Sequence, residues 1–296
     1  SRGLGDVYKR QQVSRLEKNI AETIGNVEYE VIAFDNRNTH YGLCEIYNLC
    51  AEKSRYDNLC FAHEDIQFDT IGWGEKIISK LSETDCGVIG FAGTTARISA
   101  LCGIGLSRAH WRSNYIQHMN KGGMKSCFKN PDRVEFSPVV SVDGMCLFVS
   151  RKVWQKVRFD EKTFPNFHLY DLDFTTAVFR AGCINYICNT VIVEHFSEGY
   201  YTQEWLAATI DFNNKWRNAL PLYVSGFPCI KNLDRYVRSR EFRFIKAMMK
   251  SRGKCSWELI DGLCRQYYRK YPFYRSIVVW FHAYRYRKRW KREGRL

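Results

Sequence analysis

Residues 58–65 read Asn58-Leu59-Cys60-Phe61-Ala62-His63-Glu64-Asp65, an apolar run that ends in two adjacent carboxylates. The run predicts a buried β-strand, and the polar residues after it predict a loop at the carboxyl end of that strand. Open α/β sheets bind ligands beyond the carboxyl ends of their strands. Mg²⁺ and Mn²⁺ prefer oxygen ligands and are often shared with substrate phosphates. The stretch therefore indicates a site for a divalent cation and a diphosphate, with capping of the next segment by Glu64 and Asp65 as the open alternative.

The segments on either side of this stretch alternate between strand and helix patterns. Strands are predicted at residues 29–34, 58–62, 86–91, 139–150 (interrupted at Asp143-Gly144), 184–187 and 191–194, and helices at residues 15–24, 41–54, 74–81 and 171–181. The alternation predicts an α/β fold with a Rossmann-like, mostly parallel sheet and helices on both faces. Residues 93–138 are less regular, and we expect a substrate loop there. Residues 1–12 have no pattern, and we expect a non-native leader there, followed by the main domain at residues 13–228.

The basic charge of the chain lies in its C-terminal part. The whole chain carries a net charge of +14. Residues 231–296 hold 20 Lys and Arg against 5 Asp and Glu, a net of +15, so residues 1–230 hold 25 against 26, a net of −1. Aromatic residues are interspersed with these basic residues, and we predict a basic aromatic helical tail at residues 229–296. Three roles are open for it: binding anionic lipid headgroups, binding nucleic acid, or forming a solvated helical pair packed on the body.

The cysteines give information about the cellular compartment. The 12 cysteines are scattered among aliphatic residues and form neither a CxxC motif nor a Cys/His zinc spacing. The N-terminus lacks the long apolar core of a secretory signal, and no stretch reaches the roughly 18 apolar residues that span a bilayer. We therefore expect reduced, mostly buried thiols in a cytoplasmic protein.

Polar motifs follow the predicted strands and helices in a specific order. They are Asp35-Asn36, Tyr47-Asn48, His63-Glu64-Asp65, Trp73-Gly74, Asp143-Gly144, Tyr170-Asp171-Leu172-Asp173 and His195-Phe196-Ser197. In this order the chain resembles the family 2 glycosyltransferases of GT-A fold, and more narrowly their bacterial StrF-like subgroup. The resemblance covers roughly residues 15–215. No single motif decides it, and the ordered set carries it.

The resemblance implies a role for each matched position. The residues implied to bind a nucleotide-sugar are Asp35, Asn48, Glu64, Asp65, Asp143 and Gly144. A Mn²⁺ or Mg²⁺ ion is implied at Asp65 and His195, and the general base is implied at Asp171. Two positions depart from the family: His63 replaces the first acid of the metal motif, and Tyr170 replaces the acid that usually precedes the base. The first strand of the family also has no counterpart in residues 1–12.

Each of these positions also has a structural interpretation. Asp35-Asn36 and Asp143-Gly144 suit plain turns, and Asp171 suits the N-cap of the helix that follows it. Asp173 fits better as a charge at that helix N-terminus than as a catalyst. His195 could be a hydrogen-bonded structural histidine, and Trp73 is predicted to lie in the core rather than under a sugar.

The function implied by the resemblance is transfer of a sugar from a nucleotide-diphospho-sugar to an acceptor hydroxyl, with inversion. The setting implied is surface polysaccharide or glycan assembly, where acceptors are often lipid-linked. For that reason we favour membrane binding by residues 231–296, with the protein peripheral at the inner face of the membrane. The neutral body argues against a nucleic-acid-binding protein. The departures at His63, Tyr170 and the first strand leave one alternative open, a catalytically inactive protein that binds nucleotide-sugars or glycans.

Overall fold

The computed structural model describes residues 2–36, 39–104, 106–199, 202–250, 255–272 and 275–294. The chain forms two compact units. The sheet unit comprises Ser1–Arg97, Ile104–Glu198 and Leu222–Phe227, and the helical unit comprises Ile98–Gly103, Gly199–Pro221 and Pro228–Leu296. The last segment of the helical unit, from Pro228 onward, contains the residues predicted to form the tail, and the unit also includes two earlier segments.

The elements are numbered in chain order. The helices are α1 (Arg2–Thr23), α2 (Leu43–Lys53), α3 (Trp73–Leu81), α4 (Arg151–Lys156), α5 (Tyr170–Arg180), α6 (Gln203–Trp216), α7 (Leu233–Lys250), α8 (Trp257–Lys270) and α9 (Arg275–Arg292). The strands are β1 (Asn58–Ala62), β2 (Ile66–Phe68), β3 (Cys86–Gly90), β4 (Ala92–Thr94), β5 (Ala96–Arg97), β6 (Trp111–His118), β7 (Met124–Lys129), β8 (Phe136–Val139), β9 (Ser141–Val142), β10 (Cys146–Ser150), β11 (Ile184–Cys188), β12 (Val193–His195) and β13 (Leu222–Tyr223). The protein is a mixed α/β protein.

Two main sheets form the sheet unit. The first has the strand order β1-β10-β3-β11-β8, and the second has the order β2-β12-β6-β4-β9 with β7 paired to β6. A short pair joins β13 to β5. The central strands arise from apolar runs that are buried on both faces, such as Val88 and Ile89 in β3, which have no exposed surface. Burial of such side chains contributes about 1.5–3 kcal/mol each, which fixes the position of these strands.

The prediction of a mostly parallel sheet is wrong for the described residues. Among their strand pairs, β3 with β11 and β6 with β12 are parallel, and the other pairs are antiparallel. The cause is β10, which lies between β1 and β3 and runs against both. Apolar periodicity predicts that a strand exists, but it contains no information on the direction of its neighbours.

The strand predicted at residues 29–34 is absent, since residues 27–36 contain no helix or strand. Tyr29, Val31 and Ile32 are 39%, 43% and 37% exposed. The segment is held by Glu30, whose carboxylate accepts hydrogen bonds from the Arg55 backbone N–H at 2.6 Å and from its Nε at 3.0 Å. High strand propensity depends on a partner surface, and this segment has no strand partner in the described chain.

The prediction that residues 93–138 are irregular is also wrong. It contains the long hairpin of β6 and β7, in which Ser113 pairs with Lys129 and His118 pairs with Met124. The sequence does not predict this hairpin, because β7 is largely exposed and polar. Strand β7 therefore shows little alternation of apolar and polar residues. Its turn uses two glycines with positive φ, Gly122 at 85° and Gly123 at 89°.

Helix α1 extends the helix predicted at residues 15–24 toward the N-terminus as far as Arg2. Leu16 and Ile20 pack against the core of the sheet unit, as their spacing predicts. The Asn19 side chain satisfies the backbone of Phe68 in β2. Its Nδ2 donates to the Phe68 carbonyl at 2.9 Å, and its Oδ1 accepts from the Phe68 N–H at 2.7 Å. Trp73 is buried in the same core and donates to Thr23 Oγ1 at 3.0 Å, which confirms its predicted core position.

The helical unit has an apolar core of its own. Buried residues from α6, α7, α8 and α9 meet there, among them Leu206, Met248, Ile260 and Val279. Helix α6, which precedes the predicted tail in the chain, contributes to this core. The helices of the tail therefore pack together with α6. Among the described helices, none is both long enough and apolar enough to cross a bilayer.

Candidate functional site

Strand registers bring separate polar residues to one edge of the sheet unit. The His63 N–H bonds the Met145 carbonyl at 3.1 Å, which continues the pairing of β1 with β10. The Phe196 N–H bonds the Asp65 carbonyl at 2.9 Å, which continues the pairing of β2 with β12. The residues that follow β1 therefore lie between the turn before β10 and the end of β12, where His195 stands.

Three side chains converge at this edge. Asp65 Oδ1 lies 3.9 Å from His63 Nδ1 and 3.7 Å from His195 Nε2. One ligand atom from each residue lies within 4.8 Å of the others. The Asp65 and His195 side chains are each 13% exposed and the His63 side chain is 20% exposed, so the cluster is sheltered but reachable. We call these three residues the His-Asp-His cluster.

The proton of His63 is held away from the cluster. The Tyr170 hydroxyl donates to the Gly144 carbonyl at 3.0 Å, because a carbonyl oxygen can only accept. The contact of 2.8 Å between His63 Nε2 and the Tyr170 oxygen must then be donated by His63. Burial raises the pKa of Tyr170 well above its usual range, so its proton stays in place. His63 Nδ1 therefore presents a lone pair to Asp65.

Gln117 sets the orientation of the His195 ring. The pairing of β12 with β6 sets Gln117 opposite His195. The Gln117 amide nitrogen lies within hydrogen-bond distance of the carbonyls of His118, His195 and Ser197 and donates its two protons among them, which leaves Oε1 as an acceptor. Oε1 lies 3.3 Å from His195 Nδ1, so this nitrogen is the donor of the pair, and Nε2 is the ring nitrogen that faces Asp65.

The donor set fits a divalent cation. Asp65 Oδ1 and His195 Nε2 are buried and have no hydrogen-bond partner in the protein. Burial lowers the pKa of His63, although the charge of Asp65 opposes this, so the imidazole is held neutral. Two imidazole nitrogens and one carboxylate oxygen face one another here, and burial of such groups without a hydrogen-bond partner is costly unless a cation satisfies them. The cluster can therefore hold a metal ion through these three atoms.

A second pair of carboxyl groups lies next to the cluster. The Asp171 carboxylate accepts a hydrogen bond from the Gly144 N–H at 2.9 Å, and Asp143 precedes that glycine. Burial and the charge of Asp143 raise the pKa of Asp171 to about 7, against the lowering effect of backbone N–H groups at the start of α5. A carboxyl group with a pKa near 7 can exchange a proton at physiological pH.

The start of α5 is closely fitted to the turn at Asp143-Gly144. A Cβ on Gly144 would lie 2.3 Å from the Tyr170 hydroxyl oxygen and 2.8 Å from Asp171 Cβ, so only glycine allows this approach. Leu169, which precedes α5, has a φ of 63°, a left-handed conformation that is uncommon for leucine. Strained residues of this kind gather at functional sites, and this one sets the direction of Tyr170 and Asp171.

Comparison with known families identifies the domain. The sequence model of the glycosyltransferase-like family matches residues 10–218, more than half of the chain. The chain belongs to the glycosyltransferase-like family. The matched range contains the His-Asp-His cluster, the Asp143–Asp171 pair and the residues that orient them.

Solved structures similar to this glycosyltransferase-like chain include GalNAc-T7 with UDP, GalNAc and Mn²⁺, at 9% identity and a TM-score of 0.41. That alignment covers 69% of this chain and 42% of the GalNAc-T7 chain, so this chain spans less than half of its length. A197 from STIV is similar at 16% identity and a TM-score of 0.36, over 62% of this chain and 78% of A197. A search of the curated proteins finds no match.

The structure of this glycosyltransferase-like protein brings some of the predicted site residues together and leaves others apart. Asp65, His195, Asp143, Gly144 and Asp171 lie together, as described above. Glu64 is half-buried on the turn between β1 and β2. Asp35 is exposed, on the segment that forms no strand.

The Asn48 side chain has a structural position instead. Its Nδ2 donates to the Phe159 carbonyl at 3.0 Å and to Glu161 Oε2 at 3.2 Å. Its Oδ1 accepts from Trp154 Nε1 and from the Phe159 N–H, both at 3.2 Å. An amide makes at most four such bonds, so none is left for a ligand. Asn48 is therefore not proposed to bind the nucleotide-sugar.

Three residues of the site were missed as functional residues. The resemblance implies an acid at position 63, yet His63 Nδ1 belongs to the cluster. It also implies an acid at position 170, yet Tyr170 orients His63. Gln117 lies in the hairpin that was not predicted. The signal for His63 was its position, two residues before Asp65 at the end of a buried strand.

Proposed function

We propose that this protein is a metal-dependent glycosyltransferase of GT-A type that transfers a sugar from a nucleotide-diphospho-sugar to an acceptor hydroxyl. The observation that carries the proposal is the convergence of three potential ligand atoms in the His-Asp-His cluster, of which Asp65 Oδ1 and His195 Nε2 are buried without a hydrogen-bond partner. Membership of the glycosyltransferase-like family supports the reaction class. The order of the polar motifs along the chain supports the GT-A assignment.

The metal is proposed to bind His63, Asp65 and His195. Two imidazole nitrogens and one carboxylate favour Mn²⁺ over Mg²⁺, which prefers a shell of oxygens. When bound, the cation supplies Lewis-acid neutralisation of the charge that develops on a leaving diphosphate. Glu64, Asp143, Gly144 and Asp35 are retained as proposed contacts of the nucleotide-sugar.

Asp171 is proposed as the general base. Transfer forms a bond from the acceptor oxygen to the anomeric carbon and breaks the bond from that carbon to the diphosphate oxygen. Attack from the face opposite the leaving group inverts the anomeric centre, and the acceptor proton passes to the Asp171 carboxylate. The Gly144 N–H orients that carboxylate through its bond to Oδ2.

Two of the three observations that favoured an inactive binding protein have another explanation in the structure. These are the departures from the family pattern at His63 and Tyr170. The geometry supports a metal ligand at the first position and a residue that orients this ligand at the second. Both residues are therefore proposed to belong to a metal site, and their departure from the family pattern does not indicate loss of activity.

The proposed function is tested by screening nucleotide-sugars for Mn²⁺-dependent hydrolysis. We expect release of a nucleoside diphosphate from one or a few members of a UDP-, GDP- and dTDP-sugar panel. Chelation with EDTA should stop the release, and added Mn²⁺ should restore it. Binding of UDP and Mn²⁺ without hydrolysis or transfer of any sugar would favour the inactive alternative, and no binding would refute both.

Replacing Tyr170 with phenylalanine should weaken Mn²⁺ binding on the order of 10–100-fold. The change removes the hydroxyl that holds the proton of His63 on Nε2, so the imidazole no longer presents Nδ1 in one orientation. Calorimetric titration of Mn²⁺ in the presence of UDP measures the effect. Tyr186→Phe, in β11 of the same unit, is the matched control and should bind as the wild type does. Equal affinities of wild type and Tyr170→Phe would contradict the assigned role.

The transfer rate should fall as the pH drops below about 7. The raised pKa of Asp171 means that its carboxyl is protonated below that value and cannot accept a proton. The fall should approach about tenfold per pH unit. A bound cation favours the carboxylate form, so the acidic limb should lie no higher than this pH. A rate that stays level from about pH 8 to about pH 5 would exclude Asp171 as the base.

A further inference from the structure

Helix α9 has one side packed in the core of the helical unit. Val279 is fully buried and Trp290 is 3% exposed. The Trp290 Nε1 donates to the Met249 carbonyl at 3.2 Å, and its ring lies 5.3 Å from the ring of Trp257. Ala283 and Tyr286 pack against the same core. These contacts fix the rotation of α9 and therefore decide which of its side chains face outward.

The opposite side of α9 presents large apolar residues to the solvent. Ile277, Trp280, Phe281 and Tyr284 are 64%, 58%, 50% and 47% exposed. Their spacing of i, i+3, i+4 and i+7 places them on one face. The rings of Trp280 and Tyr284 stack at 5.8 Å, so the face is continuous. We call these four residues the outer face of α9; a group of this size on a soluble surface marks an interaction site.

Basic residues continue the outer face toward the C-terminus. The sequence of α9 contains seven Lys and Arg and no Asp or Glu. Lys288 follows Tyr284 by four positions on the same side, and Lys291 and Arg292 follow Lys288 by three and four; all three are exposed. Lys288 Nζ lies 4.9 Å from the centre of the Tyr284 ring, and the Arg285 guanidinium lies 5.7 Å from that of Phe281. Apolar surface and positive charge are therefore adjacent on one side of one helix.

We propose that the outer face of α9 binds an anionic lipid surface in the plane of the membrane interface. Aromatic rings with an aliphatic neighbour suit the boundary of headgroups and acyl chains, and the basic residues beside them suit lipid phosphates. The net charge of +15 over residues 231–296 adds long-range attraction to such a surface. Ile277 favours lipid over nucleic acid, because an aliphatic side chain gains from burial in lipid and cannot stack on bases.

Vesicle co-sedimentation of the full chain tests the proposal. Wild type should pellet with vesicles of phosphatidylcholine and phosphatidylglycerol, and much less with phosphatidylcholine alone. The double variant Trp280→Ser/Phe281→Ser should lower partitioning to the anionic vesicles by about tenfold or more, because both exposed rings lose their burial in the interface. Added salt should weaken binding of the wild type, since screening shortens the reach of the basic residues.

The matched control is Met124→Ser/Phe128→Ser on β7, where the residues are 67% and 60% exposed. It removes two exposed apolar side chains from the sheet unit and should leave vesicle binding unchanged. Equal pelleting of wild type and the α9 variant would overturn the proposal. So would tight binding of single-stranded RNA without vesicle affinity, or self-association that the α9 variant abolishes without vesicle affinity.

Discussion

Replacing Asp65 with alanine should abolish Mn²⁺-dependent binding of UDP. Asp65 is the carboxylate of the His-Asp-His cluster, and a hard cation depends on its anionic oxygen. The loss of affinity should exceed the 10–100-fold that is typical for removal of an outer-shell partner. Calorimetry with Mn²⁺ and UDP measures it, and unchanged affinity would refute the metal site.

The same variant makes a second, opposite prediction about stability. Asp65 Oδ1 is buried without a hydrogen-bond partner, so its removal should not lower the melting temperature of the metal-free protein. Asp57→Ala is the control for charge, since its side chain is 98% exposed just before β1. It should leave both Mn²⁺ affinity and stability as they are. A large loss of stability in Asp65→Ala without metal would indicate a structural role.

Replacing Asp171 with asparagine should preserve UDP and Mn²⁺ binding and reduce the transfer rate on the order of 10²–10⁴-fold. The amide keeps the shape of the carboxyl, and its oxygen can still accept the Gly144 N–H, but it cannot take a proton from the acceptor. The comparison variant is Asp173→Asn, two residues along α5 in the same first turn. Transfer within a factor of a few of wild type in Asp171→Asn, with loss in Asp173→Asn, would move the base to Asp173.

The elements that carry buried apolar runs were predictable from the sequence. Strand β1 has the predicted bounds, and β3 and α5 differ by one residue at their ends. The Gly182 that ends α5 has a φ of 93°, the left-handed conformation expected of a C-terminal glycine. In each of these elements local propensity and burial favour the same structure, and such agreement makes a segment predictable.

The direction of pairing and the hairpin were not predictable by the same means. Strand β10 inserts antiparallel between β1 and β3 through contacts distant in sequence, and no local pattern specifies that choice. Residues 29–34 have strand propensity without a partner, while β7 has a partner without the pattern. Both errors show that a strand is defined by its neighbour as much as by its own residues.

The site was half predictable. A resemblance of ordered motifs placed Asp65, His195 and Asp171 in one region, where the structure brings them together. It could not show His63 as a ligand, because the expected chemistry at that position was an oxygen. It could not show which nitrogen of each histidine carries the proton, since that depends on Tyr170 and Gln117 across the sheet.

The unpartnered atoms Asp65 Oδ1 and His195 Nε2 would link the stability of this protein to the supply of the proposed cation. Both atoms are buried in the folded chain, and unfolding would expose them to water. Saturation by the proposed cation at 100 times its dissociation constant would add about 2.7 kcal/mol to the free energy of unfolding. Without the proposed cation a larger share of the molecules would unfold and be degraded, so the amount of protein would fall together with its activity.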